Sequence, residues 1–175
     1  MAIPGGYAVR LKDKVAIVTG AGRGIGKTVA LAFAGCGASV VAVDLALPPV
    51  EETADEIRAM GGRAIAVKAD GSRGDEVKRM AEAAGREFGG VDVLINNAAI
   101  ADIRPKPFVE VTEEEWDRIL SVNLKGVFLC CKAVFPYLKA RGKGKIVNIS
   151  SGTHFVGAPG LIHYASSKGG VIGFT

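Results

Sequence analysis

The stretch "KVAIVTGAGRGIG", Lys14–Gly26, passes from a short apolar run straight into glycines at every second position. "KVAIVT" (14–19) is rich in β-branched residues and reads as a strand covered on both faces. Gly20, Gly22, Gly24 and Gly26 then fall within "TGAGRGIG", Thr19–Gly26, and a helical stretch runs on through Ala34. A backbone without Cβ atoms turns tightly. It also lets an anion such as a pyrophosphate reach the N-terminus of the next helix, where unpaired N–H groups and the helix dipole favour negative charge. The spacing is not the strict G-x-G-x-x-G of the dinucleotide fingerprint, but the physical need is the same. The plain alternative is a flexible glycine loop that binds nothing.

Outward from this stretch the same alternation repeats. "SVVAV" (39–43), "AIAV" (64–67), "VDVLI" (91–95) and "KIVNI" (145–149) are further apolar strands. Between them "VEETADEIRAMG" and "DEVKRMAEAAGREFG" have helical spacing, and a longer helical region begins near Thr112, where Thr112 and Glu115 form a capping box. Continuous apolar strands alternating with helices predict an α/β domain with a doubly wound parallel sheet of Rossmann type. The domain is expected over residues 11–175, after an N-terminal arm at 1–10.

A chain of 175 residues with 49% hydrophobic and 23% charged residues matches an ordinary globular domain. No uninterrupted apolar run reaches the roughly 18 residues of a membrane span, and "MAIPGGYAVR" lacks the basic and apolar regions of a secretory signal. No membrane or nucleic-acid partner is expected, since nothing resembles a zinc finger, a basic helix or an aromatic RNA platform. The net charge of +4 is mild. Its densest basic stretch, "KARGKGK" (139–145), reads as a solvated connection, with attraction of an acidic partner as the alternative. Cys36, Cys130 and Cys131 are odd in number and form no CxxC. They point to buried thiols, a reducing cytoplasm and no metal site.

Ligands of such sheets lie outside the carboxyl ends of the strands. Strand two ends in Asp44, eighteen residues beyond Gly26, where a carboxylate accepts from ribose hydroxyls and repels a 2′-phosphate. That favours NAD over NADP, while Arg23 in the glycine turn pulls the other way. Strand three ends in Asp70, which is placed to meet an adenine edge or simply to cap a helix. Strand four ends in "NNAA", Asn96–Ala99, and strand five in "NISS", with Ser150 and Ser151. Tyr164 follows Ser151 by thirteen residues, and Lys168 lies one helical turn further on.

Together these residues resemble the short-chain dehydrogenase/reductase family, in its classical subgroup. The matching pieces are Thr19–Gly26 as the TGxxxGIG loop, Asn96–Ala99 as the NNAG motif, Asn123 in "SVNLKG", Ser151, and "YASSK" as YxxxK. Ala99 stands where the family has glycine, and Gly71 stands where a β-branched residue is usual, which loosens the expected adenine pocket. The resemblance implies a sheet whose last strands are absent from these 175 residues, making the domain C-terminally incomplete. It implies cofactor contacts from Gly20, Gly22, Arg23, Gly24, Ile25, Gly26, Asp44, Asp70, Asn97, Ala98, Tyr164 and Lys168.

The implied reaction is hydride transfer between a nicotinamide and a carbon bearing a hydroxyl or carbonyl, so the substrate is a small alcohol or ketone. An isolated phenol ionises only near about pH 10, and an adjacent ammonium favours its phenolate. Tyr164 is accordingly the expected acid or base and Lys168 its partner and ribose ligand. Ser151 is expected to donate to the substrate oxygen, and Asn123 to hold a water linking Lys168 to solvent. Ser150 reads as a turn hydroxyl. His163 reads as structural, and His154 with Phe155 as a candidate wall of the substrate pocket. Three other readings stay open: an NADPH-dependent 3-oxoacyl-thioester (acyl-carrier-protein) reductase drawing on the basic stretch, a truncated non-catalytic dinucleotide-binding fragment, and a sensor of the NAD redox state. The resemblance also implies a homo-oligomer, dimer or tetramer, in the full-length protein.

Overall fold

A computed structural model describes residues 10–101 and 103–175. The arm expected at 1–10 lies almost wholly outside the described residues. Five parallel strands form one sheet in the order β3-β2-β1-β4-β5. They are β1 (Val15–Thr19), β2 (Ser39–Asp44), β3 (Arg63–Lys68), β4 (Val93–Asn96) and β5 (Lys145–Asn148). The helices are α1 (Gly24–Gly35), α2 (Leu47–Ala59), α3 (Gly74–Phe88), α4 (Glu113–Leu120), α5 (Gly126–Ala140), α6 (Thr153–Val156) and α7 (Ile162–Phe174). A doubly wound parallel α/β fold is what the strand–helix alternation predicts.

Side chains alternate across each strand, so an apolar run with no polar gap serves two cores at once. Ala16 and Val18 of β1, with Val40 and Ala42 of β2, pack against Ala30, Val50, Ala54 and Ile57 of α1 and α2. Ile17, Val41 and Val43 face the other way, onto Val77, Met80 and Ala84 of α3 and Val134 and Leu138 of α5. Leu94 joins that second layer and Ile95 the first. The strand order runs outward one way from β1 to β3 and the other way from β4 to β5, so the carboxyl ends of β1 and β4 open a crevice between them.

α4 and α5 are one helical rod, Glu113–Ala140, interrupted by a π turn at Ser121–Lys125. Thr112 caps it as expected: Thr112 Oγ1 accepts from the Glu115 N–H at 3.2 Å, and a Glu115 carboxylate oxygen accepts from the Thr112 N–H at 3.0 Å. The rod's 28 residues are long and apolar enough to cross a membrane by length and composition, although no uninterrupted apolar run of that length exists in the sequence. Here its buried positions, Ile119, Asn123, Val127, Cys130, Val134 and Leu138, lie against the domain. α7 packs beside α4 and the π turn, where a side chain at Gly170 would meet Leu124.

The expectation of buried thiols changes, while 139–145 is the exposed helix-to-strand connection expected of it. Of the cysteines only Cys130 is buried, while Cys36 and Cys131 are half-buried. The basic stretch 139–145 joins the end of α5 to Lys145, the first residue of β5, and so lies at the amino ends of the strands. That is the opposite end of the sheet from the crevice, because a parallel sheet sets all its carboxyl ends on one side.

Thr112→Ala removes the side-chain arm of the capping box, the Oγ1 that accepts from the Glu115 N–H, and leaves the backbone N–H that donates to Glu115. The expected outcome in urea unfolding is a loss of about 1 kcal/mol with unchanged m-value. An unchanged midpoint would show that the Thr112 hydroxyl contributes nothing to the rod.

Candidate active site

The ends of β1 and β4 are clasped together. Thr19 Oγ1 accepts from the Asn97 and Ala98 N–H groups at 3.0 and 3.1 Å. Asn97 Nδ2 returns across the gap to the carbonyls of Thr19 at 3.0 Å and Gly20 at 3.3 Å. The glycine turn leaves no room for side chains beneath this clasp. A Cβ at Gly20, whose φ is +66°, would lie 2.9 Å from Asn97 Nδ2, and one at Gly26 would overlap the Gly20 carbonyl. Thr53, fully buried in α2, fastens the turn from below by donating to the Ala21 carbonyl at 2.9 Å.

Arg23 is the residue before α1; it is exposed, and no side chain caps the helix there. A Cβ at Gly24 would meet nothing within 4 Å, and Ile25 stands 66% exposed beside it. The turn is thus open above and tightly packed below, a cradle suited to a pyrophosphate approached by backbone N–H groups.

Asp44 and Asp70 already have protein partners. Asp44 Oδ2 accepts from the Gly22 N–H at 2.8 Å, and Oδ1 from the Leu45 N–H at 2.7 Å. The carboxylate therefore ties the second strand to the glycine turn, and each oxygen keeps further acceptor capacity. Asp70 Oδ1 accepts from the Ser72 N–H and hydroxyl at 2.9 and 2.7 Å, closing the turn before α3. At Gly71 a Cβ would meet nothing within 4 Å, so the space for a larger side chain stands empty.

Beyond β5 the two serines differ in what their protons do. Ser150 Oγ donates to the Lys168 carbonyl at 2.7 Å. Ser151 Oγ accepts from the Thr153 N–H at 3.2 Å and the Thr153 hydroxyl at 3.1 Å, so its own O–H remains free to donate. Two accepted bonds aim that proton and polarise it. The Ser150 proton is thus engaged within the fold and that of Ser151 is not.

Tyr164 occupies the first turn of α7, half-buried, and Lys168 lies one turn later with 3% exposure. Lys168 Nζ donates to the Ile149 carbonyl at 2.7 Å, which leaves two of its three N–H groups for other partners. Residues 149 and 150 therefore grip Lys168 at both its ammonium and its carbonyl. His154 Nδ1–H donates to the Ser151 carbonyl at 2.8 Å, and its ring lies 3.7 Å from that of the exposed Phe155. His163 is buried, with Nδ1 unpartnered, and packs inward.

Asn123 spends its side chain within the protein. It is completely buried in the π turn, accepts from the Ile100 N–H at 2.8 Å, and donates to the Ile100 carbonyl at 3.1 Å and Ser167 Oγ at 3.2 Å. Its side chain is engaged by protein groups rather than directed at solvent. Sequence reasoning missed Thr53 and Ser167 as members of this site, and it named Thr19 only as the start of the glycine motif without the clasp it makes. Ser167 is signalled only by a small hydroxyl within the YxxxK motif and Thr53 by nothing local, since its partner Ala21 is 32 residues away. A concavity of about 400 Å3 opens nearby, where Phe108, Trp116 and Ile162 converge two residues before Tyr164.

Burial pushes the Cys130 thiol up to about 12 and raises Cys131 as well, so neither is a ready nucleophile. Burial also pushes the Lys168 ammonium below its ordinary 10.5. A base that holds its proton less tightly when folded leaves more protons on the unfolded chain, so its contribution to stability rises with pH between the folded and unfolded pKa. The unfolding free energy of the wild type relative to Lys168→Met is therefore expected to increase as pH climbs towards 10.5. A pH-independent difference in denaturant midpoints would contradict the desolvation of Lys168.

The chain is similar to known proteins in sequence and fold. The family model for short chain dehydrogenase matches residues 14–175. The 3-oxoacyl-(acyl-carrier-protein) reductase FabG of Thermotoga maritima is 40% identical over 167 residues, covering 95% of this chain and 67% of its own length. The 3-oxoacyl-(acyl-carrier-protein) reductase of Synechocystis sp. is 43% identical over 167 residues, covering 94% of this chain and 66% of its own. The crystal structure of a short chain dehydrogenase from Mycobacterium avium superposes with a TM-score of 0.88 at 36% identity, covering 94% of this chain and 61% of that one. A Sinorhizobium meliloti protein described as a short-chain alcohol dehydrogenase gives a TM-score of 0.90 at 38% identity, with 95% and 66% coverage. The chain thus spans about two thirds of the length of the relatives it matches. With the model matched from the first strand onwards and the fold shared, the chain belongs to the short-chain dehydrogenase family of oxidoreductases.

Proposed function

We propose that the protein interconverts a secondary alcohol and a ketone using a nicotinamide dinucleotide, with Tyr164, Ser151 and Lys168 acting on the reacting oxygen. The observation that carries this reading is the free O–H of Ser151, aimed by two accepted hydrogen bonds, at a strand end whose neighbouring residues grip Lys168. The glycine cradle fits the dinucleotide, since the turn is open at Gly24 and closely packed beneath Gly20 and Gly26. Gly20, Gly22, Arg23, Gly24, Ile25 and Gly26 would hold its pyrophosphate side. Asp44 and Asp70 would face the adenosine, and Asn97, Ala98 and Lys168 the nicotinamide half. When bound, the cofactor supplies or accepts the hydride.

The chain's own residues handle the proton and the developing charge. In ketone reduction Tyr164 gives its phenolic proton to the substrate oxygen, and in alcohol oxidation it takes that proton back. The Lys168 ammonium favours the phenolate form, and its attraction is strong because burial removes competing water. Ser151 donates its free O–H to the same substrate oxygen as negative charge gathers there. His154 and Phe155, tied to the Ser151 carbonyl, would line the substrate side.

The Asp44 carboxylate supports NAD over NADP, because a 2′-phosphate would meet a negative group at the end of β2. Within this reading the names of the two reductase relatives favour a 3-oxoacyl thioester as the ketone. The basic stretch 139–145 gives no support to carrier-protein docking, since it lies at the far end of the sheet. Self-assembly into a dimer or tetramer is supported by the exposed Phe128 and Phe174 beside Leu120 and Leu124, on α5, α7 and the rod they flank.

The test is NADH-dependent reduction of acetoacetyl thioesters and simple ketones, with NADPH as comparison. Turnover with NADH ahead of NADPH is expected, and Tyr164→Phe is expected to lower it by about 10²- to 10⁴-fold without weakening NADH binding. Full activity in Tyr164→Phe would overturn the assignment.

A further inference from the structure

Ser167 sits between Asn123 and Tyr164. Both Asn123 and Ser167 are completely buried. Ser167 Oγ accepts from Asn123 Nδ2 at 3.2 Å and donates to the Tyr164 carbonyl at 2.7 Å. Asn123 is itself fixed at its far side by both backbone groups of Ile100, the residue after "NNAA". An unbroken chain of hydrogen bonds therefore runs from the end of β4, through the π turn, to the backbone of the proton donor.

A helical serine that bonds to the carbonyl three residues back is ordinary and by itself means little. Two observations separate this one. Its oxygen also accepts from an amide on another helix, in a place that no solvent reaches. The turn it braces is moreover the first turn of α7, which begins at Leu161 without any side-chain cap. First turns lack intrahelical partners for their N–H groups and fray unless something holds them. Tyr164 is on that turn, so its phenol is positioned only as well as the turn is held. The π turn contributes directly, because it sets Asn123 towards both Ile100 and Ser167.

We propose that Ser167 is a positioning residue that fixes the Tyr164 turn of α7 to the end of β4, and that the Asn123 side chain acts on the reaction through Ser167. The inference rests on the assignment of Tyr164 as proton donor.

The experiment combines steady-state kinetics of Ser167→Ala, Asn123→Ala and the double variant with amide hydrogen exchange. Ser167→Ala is expected to lower kcat by about tenfold, as small misplacement of a reacting group does, with KM and NADH affinity within about twofold of wild type. Exchange should rise at Ile162–Ala165 and stay unchanged over Gly169–Phe174. The double variant should be no slower than Asn123→Ala alone, because both substitutions cut one chain. Wild-type kcat and wild-type exchange in Ser167→Ala would overturn the proposal, and so would losses that multiply in the double variant. If Asn123→Ala does not fold, the kcat and exchange of Ser167→Ala decide alone. If the wild type reduces no carbonyl substrate, the proposed function fails, and the exchange pattern still decides whether Ser167 holds the turn.

Discussion

The clasp between Thr19 and Asn97 is the constraint on which the rest of the site depends. One hydroxyl accepts two backbone N–H groups of the β4 end, and one amide donates to two carbonyls of the β1 end. Each such bond contributes only about 1 kcal/mol net, but leaving these half-buried groups unpaired would cost about 1–3 kcal/mol apiece. The strand ends are therefore held at a fixed separation at the point where the strand order switches from one side of β1 to the other. Gly20 and Gly26 lack side chains because the clasp occupies the space a Cβ would need. The open upper surface of the glycine turn is the consequence.

A second set of short hydroxyl contacts does the same work at the other wall. Ser150 and the Ile149 carbonyl hold Lys168, while Ser167 and Asn123 hold the turn of Tyr164. Only Ser151 keeps its proton free. The division of labour among Ser150, Ser151 and Ser167 is thus one of hydrogen-bond direction, since all three side chains are chemically identical. Position in the fold decides whether a hydroxyl braces the structure or faces a substrate.

This division explains what the sequence made legible. The apolar runs such as "KVAIVT" and "SVVAV" specify buried parallel strands, because no other common element is apolar on both faces over so few residues. Thr112 and Glu115 announced their helix start through chemistry local to four residues. Tyr164 and Lys168 are one turn apart in any helix, and the strand ends fall together in any doubly wound sheet. The partners of the Asn123 side chain were not legible, because Ile100 and Ser167 are 23 and 44 residues away and neither looks unusual in sequence. The basic stretch 139–145 was legible as charge, but only the topology assigns it to the end of the sheet remote from the crevice. Asp70 was legible as a strand-end carboxylate. Its engagement with Ser72 is a local turn that the sequence allowed equally well.

The central claim is that the clasped strand ends form a nicotinamide dinucleotide site. Equilibrium titration with NADH, followed by nicotinamide fluorescence, tests it most directly when the wild type is compared with Gly26→Val at matched circular dichroism. The account predicts saturable binding by the wild type and none by the variant, since a side chain at residue 26 must displace the Gly20 carbonyl and the turn above it. Equal binding by both proteins, or no saturable binding by the wild type, would contradict it.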